Sequence, residues 1–293
     1  MSDDHPHPNP VRVAAVADLH YGRLTTNAIA SLFAGVDRVA DVLVLPGDLT
    51  DRGSPDEARG LARELAQAVK IPIVAVLGNH DFESAKEEEV AAILREAQIH
   101  VLDGDVVELH GVGFAGVRGF CGGFGRHALG PWGEPVVKQF VNEAVTEALK
   151  LESALARFRM AQRVAVMHYA PVRATVEGEP EGIFAYLGSS RLEEPLTRFS
   201  VSLVLHGHAH QGSPEGVTSN GTPVYNVALP LMRKLHPDRP YRVFELPPAP
   251  AVSPTAPAAT EAPLPAATPP PPAQSSGGAP AATSVPPTAT GTA

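Results

Sequence analysis

Five short polar clusters in this chain carry side chains able to hold a metal ion or move a proton: Asp18-Leu19-His20, Gly47-Asp48-Leu49-Thr50-Asp51, Gly78-Asn79-His80-Asp81, His168, and Gly207-His208-Ala209-His210. Taken singly, each has an ordinary reading. An Asp after a strand caps the next helix, Gly-Asn and Gly-Asp pairs make turns, and a lone His is commonly a hydrogen-bonded core or surface group. Pooled, they supply carboxylates, imidazoles and one carboxamide, the donor set that suits two divalent first-row cations sharing a bridging carboxylate. Within Asp18-x-His20 and His208-x-His210, an extended or sharply turning chain brings both side chains near one point. Gly47, Gly78 and Gly207 let the backbone approach without a Cβ in the way. The single cysteine, Cys121, can form neither an intrachain disulfide nor a Cys-based zinc site, so a metal must be held by His, Asp or Asn.

The elements that must position these clusters can be read from apolar runs. Val11–Ala17, Val42–Leu45, Ile73–Leu77, Val164–Met167 and Val201–Leu205 are short, aliphatic and bounded by turn residues, as fully buried strands are. Each cluster directly follows one of these runs. Ligands in open α/β sheets collect at the carboxyl ends of strands, so the five clusters should converge. Ser54-Pro55-Asp56-Glu57 predicts a capped helix start, with Leu61, Leu65, Ala68 and Val69 on one face, and Ser84-Ala85-Lys86-Glu87 repeats the signal. A longer helix is expected from about Pro135 to Phe158. Val106–Leu109, Val112–Val117, Pro223–Val227 and Arg242–Leu246 read as hairpin strands of a second, partly antiparallel sheet packed on the first. The stretch Gly111–Gly133 is glycine-rich, and a loop of that length inside a compact domain is more often functional than idle.

Composition narrows the function. The chain has 293 residues with 23 basic and 32 acidic side chains, a net charge of −9, which argues against nucleic acid as substrate. An aromatic share of 5% is too low for a base-stacking platform. Met1–Pro10 lacks the basic start and apolar run of a secretory signal, and no apolar stretch has the length of a membrane span, so a cytoplasmic location is expected. Residues 247–293 are rich in Pro, Ala, Thr, Ser and Gly, with Glu261 as the only charge. They cannot bury enough apolar surface to fold. The expected organisation is a flexible N-terminus over 1–10, one domain over 11–246 and a disordered tail over 247–293. That Pro-rich tail is the one feature favouring a protein partner.

In order and spacing the clusters resemble the calcineurin-like metallophosphoesterase superfamily, whose motifs run DxH, GDxxD, GNH(D/E), a His, and GHxH. The resemblance covers roughly Val11 to Leu246. It implies a four-layer α/β/β/α sandwich of two mixed sheets, the metallophosphoesterase fold, with a binuclear site. Carried over by position, it implies that Asp18, His20 and His210 bind one metal, that Asp48 bridges, and that Asn79, His168 and His208 bind the second. His80 would be the acid near the leaving group and Asp81 the carboxylate that orients it. Two cations about 3.5–4 Å apart can hold a bridging water as hydroxide, so no serine or cysteine nucleophile is needed. Manganese, iron and zinc all accept this donor set, as divalent or mixed-valence pairs.

Asp51-Arg52-Gly53 is similar to the Asp-Arg-Gly of serine/threonine phosphoprotein phosphatases, which would make Arg52 a phosphate-gripping residue beside Asn79. This chain departs from them in having Leu77 before Gly78 and Asp81 after His80. Arg118, Arg126 and His127 flank the glycine-rich stretch as further candidates for substrate contact. The stretch Pro46–Asp51 looks most like bacterial phosphodiesterases of the superfamily, so the expected function is hydrolysis of a small-molecule phosphodiester. The alternatives are a phosphomonoesterase or protein phosphatase, then a nuclease, then a non-catalytic binding scaffold.

Overall fold

The structure, a computed structural model, describes residues 9–23 and 27–248. The flexible ends expected over 1–10 and 247–293 therefore lie outside the described residues, apart from the inner two residues of each.

Strands alternate with helices through the first half of the chain. They are β1 (Val11–Ala15), α1 (Ala28–Leu32), α2 (Val36–Val39), β2 (Val42–Pro46), α3 (Pro55–Ala68), β3 (Ile73–Val76), α4 (Glu87–Glu96) and β4 (Ile99–Val101). The second half begins with β5 (Asp105–Leu109), β6 (Val112–Gly116), α5 (Pro135–Leu155) and β7 (Gln162–Val166). It continues through α6 (Phe184–Leu187), α7 (Glu193–Arg198), β8 (Leu203–His206), β9 (Glu215–Val217), β10 (Pro223–Asn226), α8 (Leu229–Leu235) and β11 (Arg242–Leu246). One sheet has the order β11-β1-β2-β3-β4, the other β5-β6-β7-β8-β10-β9. In the first, β1 to β4 run parallel and β11 pairs antiparallel with β1, Val13 opposite Phe244. In the second, β6, β7, β8 and β10 are parallel, while β5 and β9 close the edges antiparallel. Both sheets are mixed.

Two-residue alternation along the strands of the second sheet builds the layers. Phe114, Val164, Val166, Leu203 and Leu205 face the first sheet and share its core with Val13, Leu43, Val44 and Val74. Their neighbours Ala115, Ala165 and Val204 turn outward onto Leu151, Ala154 and Leu155 of α5. On the far side, Ala58, Leu61 and Leu65 of α3 cover the first sheet. The result is the four-layer sandwich. β2 and β3 are buried along their whole length, which is why they read as unbroken apolar runs. Each fully buried leucine, such as Leu43 or Leu45, contributes about 1.5–3 kcal/mol.

Several expectations need correcting. The five cluster-bearing strands do not share a sheet: β1, β2 and β3 lie in one and β7 and β8 in the other. The run Arg242–Leu246 joins the first sheet, beside β1, instead of the second. β10 is parallel to β8, and its antiparallel partner is the unanticipated β9, only three residues long and mostly exposed. β4 also escaped notice, because it is three residues interrupted by exposed His100. Ser54 caps α3 as expected, its Oγ accepting from the Glu57 N–H and Glu57 Oε2 accepting from the Ser54 N–H, both at 3.2 Å. Ser84 does not cap α4. Its hydroxyl donates to the Arg52 carbonyl at 2.5 Å, and the helix starts after Lys86 without a side-chain cap. α5 ends at Leu155, and Ala156–Phe158 continue it only as turn hydrogen bonds.

Candidate metal centre

All five clusters lie just past the carboxyl ends of their strands, at the edge where the two sheets meet. The turns are sharp: Asp18 (φ 60°), His20 (φ 44°), Asp48 (φ 48°) and His208 (φ 71°) occupy the left-handed region that non-glycine residues avoid, at about 1–3 kcal/mol each. A turning chain, and not an extended one, aims both side chains of each pair at one point. Backbone donors then hold the carboxylates. The His208 N–H reaches both Asp18 oxygens at 3.0 and 3.1 Å, and the His80 N–H donates to Asp48 Oδ1 at 2.9 Å. A Cβ on Gly78 would overlap Asp48 Oδ1, one on Gly47 the His168 ring, and one on Gly207 the carboxylate of Asp18. Only glycine leaves room for these close approaches.

Three donor groups result: His20, Asp51 and His80 form one at the mouth, and two more lie beside it. Asp18, His20 and His210 form one, with His210 Nε2 at 3.0 Å from Asp18 Oδ1. Asp48, His168 and His208 form the other. His168 Nε2 lies 3.3 Å from Asp48 Oδ1 and 2.9 Å from Asn79 Oδ1. Asp48 spans the two, since its Oδ2 is 3.7 Å from His20 Nε2. Its carboxylate thus faces both groups, as a bridging ligand must.

The residues fit cations. Both ring nitrogens of buried His20 lack a hydrogen-bond partner, an arrangement that is costly unless something positive or protic meets them. His168 Nδ1–H donates to the Pro46 carbonyl at 3.0 Å, an acceptor only, so Nε2 is the atom offered inward. His208 Nε2–H donates to the Tyr186 carbonyl at 3.1 Å and leaves Nδ1 free.

Electrostatics agrees. Burial would lower the His168 value, but the Asp48 carboxylate outweighs it and holds the imidazole at about 9. His210 is likewise raised: burial opposes the shift and the Asp18 hydrogen bond prevails. Burial opposes ionisation of Asp18 and Asp48, yet His210 and His168 hold both carboxyls below the usual carboxylate range. Burial depresses His208 to about 4 and also lowers His20, keeping both neutral and able to ligate. Protons shared between carboxylate and imidazole occupy the places cations would take.

Three other sequence-predicted residues differ in placement. His80 stands at the mouth, its ring 4.5 Å from that of His20 and T-shaped to it. Its Nδ1–H donates at 2.7 Å to the backbone carbonyl of Asp51, whose Oδ1 is 3.8 Å away. Asp81 does not orient it. The buried Asp81 carboxylate accepts instead from the N–H groups of Leu49, Thr50 and Gly78 and from Thr50 Oγ1, at 2.6–3.2 Å, and so fastens the β2 turn to the β3 turn. Adjacent peptide residues point apart here because the turn is a 3-10 coil. Arg52 is not drawn in either: its side chain is 80% exposed, with Nε 4.0 Å from Asp51 Oδ2.

Sequence reasoning missed Asp51 as a site residue, although the GDxxD spacing contained it. Besides holding His80, Asp51 forms an ion pair with Arg23 Nε at 2.5 Å and lies 3.6 Å from His20 Nδ1. Tyr169 was also missed. Its ring packs on His168 and His208, centroids 5.5 and 4.6 Å away, and its place directly after His168 was the available signal. The Tyr186 carbonyl has no side-chain signature and left no signal.

The comparisons with known proteins point the same way. Among curated proteins none matches this chain. Solved structures that share its fold include the following two. Phosphopantetheinyl hydrolase (PptH) from Mycobacterium tuberculosis is 16% identical with a TM-score of 0.59, covering 81% of this chain and 97% of its own. TT1561 of Thermus thermophilus is 16% identical with a TM-score of 0.51, covering 80% and 99%. The sequence pattern described as calcineurin-like phosphoesterase matches residues 11–212, more than half of the chain and every donor described above. Motif order, fold and donor cage thus agree, and the chain belongs to the calcineurin-like phosphoesterase family, as a metal-dependent phosphoester hydrolase.

Proposed function

We propose that this hydrolase is a phosphodiesterase acting on a small molecule. The observation that carries the reading is the pair of donor groups joined by Asp48, with His80 at the mouth, beside His20 and Asp51, as a proton donor. Divalent cations bound there would supply an activated water and screen phosphoryl charge. The chain's own groups do the rest. The Asp51 carbonyl holds the proton on Nδ1 of His80, which leaves Nε2 as the atom that hands a proton to the departing oxygen. Asn79 keeps its carboxamide oxygen on the His168 side, and its amide nitrogen is free to donate to a phosphoryl oxygen. The exposed side chain of Arg52 counts against a protein-phosphatase grip on a dianionic monoester, and the charge of −9 against a polyanionic strand.

The test compares bis(p-nitrophenyl) phosphate with p-nitrophenyl phosphate on manganese-loaded protein. Preference for the diester is expected. Asp48→Asn should lose bound metal and at least about a hundredfold in rate together. A monoester preference, or an Asp48→Asn variant that keeps its rate, overturns the reading.

A further inference from the structure

On the His208 side of the metal centre lies a cleft of about 300 Å³, lined by Phe124, His127, Arg173, Glu181 and Phe184 among others. Two segments build it. The glycine-rich stretch supplies Phe124 and His127, and the chain from Arg173 through α6 supplies the rest. Main-chain bonds lace the segments together: the Gly122 N–H donates to the Ala185 carbonyl at 2.8 Å and the Gly123 N–H to the Gly188 carbonyl at 2.9 Å.

The helix that walls the cleft also meets the cage. Ala185 lines the cleft, and the carbonyl of the next residue, Tyr186, accepts from His208 Nε2–H at 3.1 Å. Consecutive Cα atoms stand about 3.8 Å apart, so cleft and cage meet at neighbouring positions of one helix. Behind the cleft, Phe124 packs in one cluster with Ala170, which lies two residues past His168, and Ala209, which separates His208 from His210. Phe184 leans on the same cluster.

The lining suits a ring. Phe124 and Phe184 give it an apolar floor. The guanidinium carbon of Arg173 sits 5.3 Å from the Phe184 centroid and presents a planar surface on which aromatic faces stack. Its charge is already met by Glu181 at 3.1 Å and Glu177 at 3.7 Å, which leaves little for an anion. The volume lies at the lower end of small-molecule sites, too small for a polymer. Arg118 offers the contrast: its guanidinium is spent inward on Phe82 and Glu143.

We infer that this cleft binds an aromatic ring carried by the ester group that stays on phosphorus. His80 stands against His20 of one donor group and the cleft adjoins His208 of another, so departing and retained groups are drawn to different sides. Naming the occupant as a retained ester group rests on the phosphodiesterase reading above.

The full manganese-loaded chain is titrated by calorimetry with ω-phenylalkyl phosphonates of increasing arm length and with the matching alkyl phosphonates. Their carbon–phosphorus bond survives the enzyme, so binding is read without turnover. At the arm length that reaches the cleft, the phenyl compound should bind about tenfold more tightly. Phe184→Ala should cut that preference to about threefold or less, and Phe184→Tyr should keep it. Ala185→Leu, which fills the cleft instead of emptying it, should also remove the preference and decides the matter if the alanine variant does not fold. In turnover, p-nitrophenyl diesters with the same arms as retained groups should show a lower KM for phenyl than for alkyl, with little change in kcat. No phenyl preference at any arm length, a preference undiminished in Phe184→Ala or Ala185→Leu, or an equal KM for phenyl and alkyl diesters overturns the inference. Phenyl preference among the phosphonates without any diester turnover supports the cleft and sinks the phosphodiesterase reading alone.

Discussion

At His80 the deciding contact is the 2.7 Å hydrogen bond from Nδ1–H to a backbone carbonyl, that of Asp51. A carbonyl fixes the tautomer without the full charge of a carboxylate, and the Asp51 carboxylate stands further off at 3.8 Å. The proposed acid is therefore oriented chiefly by the main chain. Its worth depends on the leaving group, since a departing alkoxide needs a proton and a departing nitrophenolate hardly does. His80→Ala should slow hydrolysis of alkyl diesters by about 10²–10⁴-fold and of bis(p-nitrophenyl) phosphate far less. Steady-state rates on a series of diesters ordered by leaving-group pKa check this, and equal losses on every ester would remove His80 from the acid's role. Asp81, one residue on, serves the opposite purpose. Burial, with the Asp48 charge adding to it, holds its carboxyl up at about 6 against four hydrogen bonds. It belongs to the frame of the site. The residue types of both were legible from the motif, but which carboxylate serves His80 was not, because two neighbours in sequence face apart in the turn.

At the scale of elements, strand ends and their turns build the centre. β1, β2 and β8 each end in a turn with a non-glycine residue at positive φ, and glycines make the opposing approaches possible. At Gly78 the constraint is contact, since a methyl group there would meet both the backbone nitrogen and Oδ1 of Asp48. Neither can yield without moving the carboxylate that spans the two donor groups. Gly78→Ala should therefore cost about 1–3 kcal/mol of stability and most of the bound metal. Gly182, with open space around its Cβ position and no positive φ, supplies the comparison: Gly182→Ala should keep both. Chemical denaturation with metal analysis distinguishes them, and full metal content in Gly78→Ala would show that the turn can relax. The capped start of α3 was legible because Ser54 and Glu57 answer each other three residues apart. The same pattern at Ser84 misled, because Arg52, 32 residues away, offers the Ser84 hydroxyl a better-placed acceptor.

For the whole molecule, the centre ties one sheet to the other: Asp18, His20, Asp48 and Asn79 follow strands of the first, and His168, His208 and His210 follow strands of the second. Cations bound there stabilise the assembled sandwich by mass action, about 2.7 kcal/mol at a hundred times the dissociation constant. Without metal, stability should peak near pH 6.5. His168, raised from 6.5 to about 9, contributes stability that is full below 6.5 and lost as the pH climbs through 9. His206 and His208, both lowered by burial to about 4, contribute stability present above 6.5 and lost as the pH falls towards 4. Asp81 works against that acid loss, gaining as the pH falls through 6, but one carboxyl is outnumbered by two imidazoles. Calorimetric Tm of chelated protein at pH 5, 6.5 and 9 tests the peak. Metal should abolish the alkaline fall, because cations replace the proton that His168 would surrender; a chelated protein as stable at pH 9 as at 6.5 contradicts this. From the sequence alone came the donor types, their order, the buried strands that carry them and the α/β class, all consequences of local period and turn chemistry. Tertiary structure alone decided that those strands divide between two sheets, that β11 pairs beside β1, that Asp51 serves His80, and that Arg118 meets Phe82 and Glu143. Contacts between residues distant in sequence depend on how whole layers pack, and no local pattern encodes that.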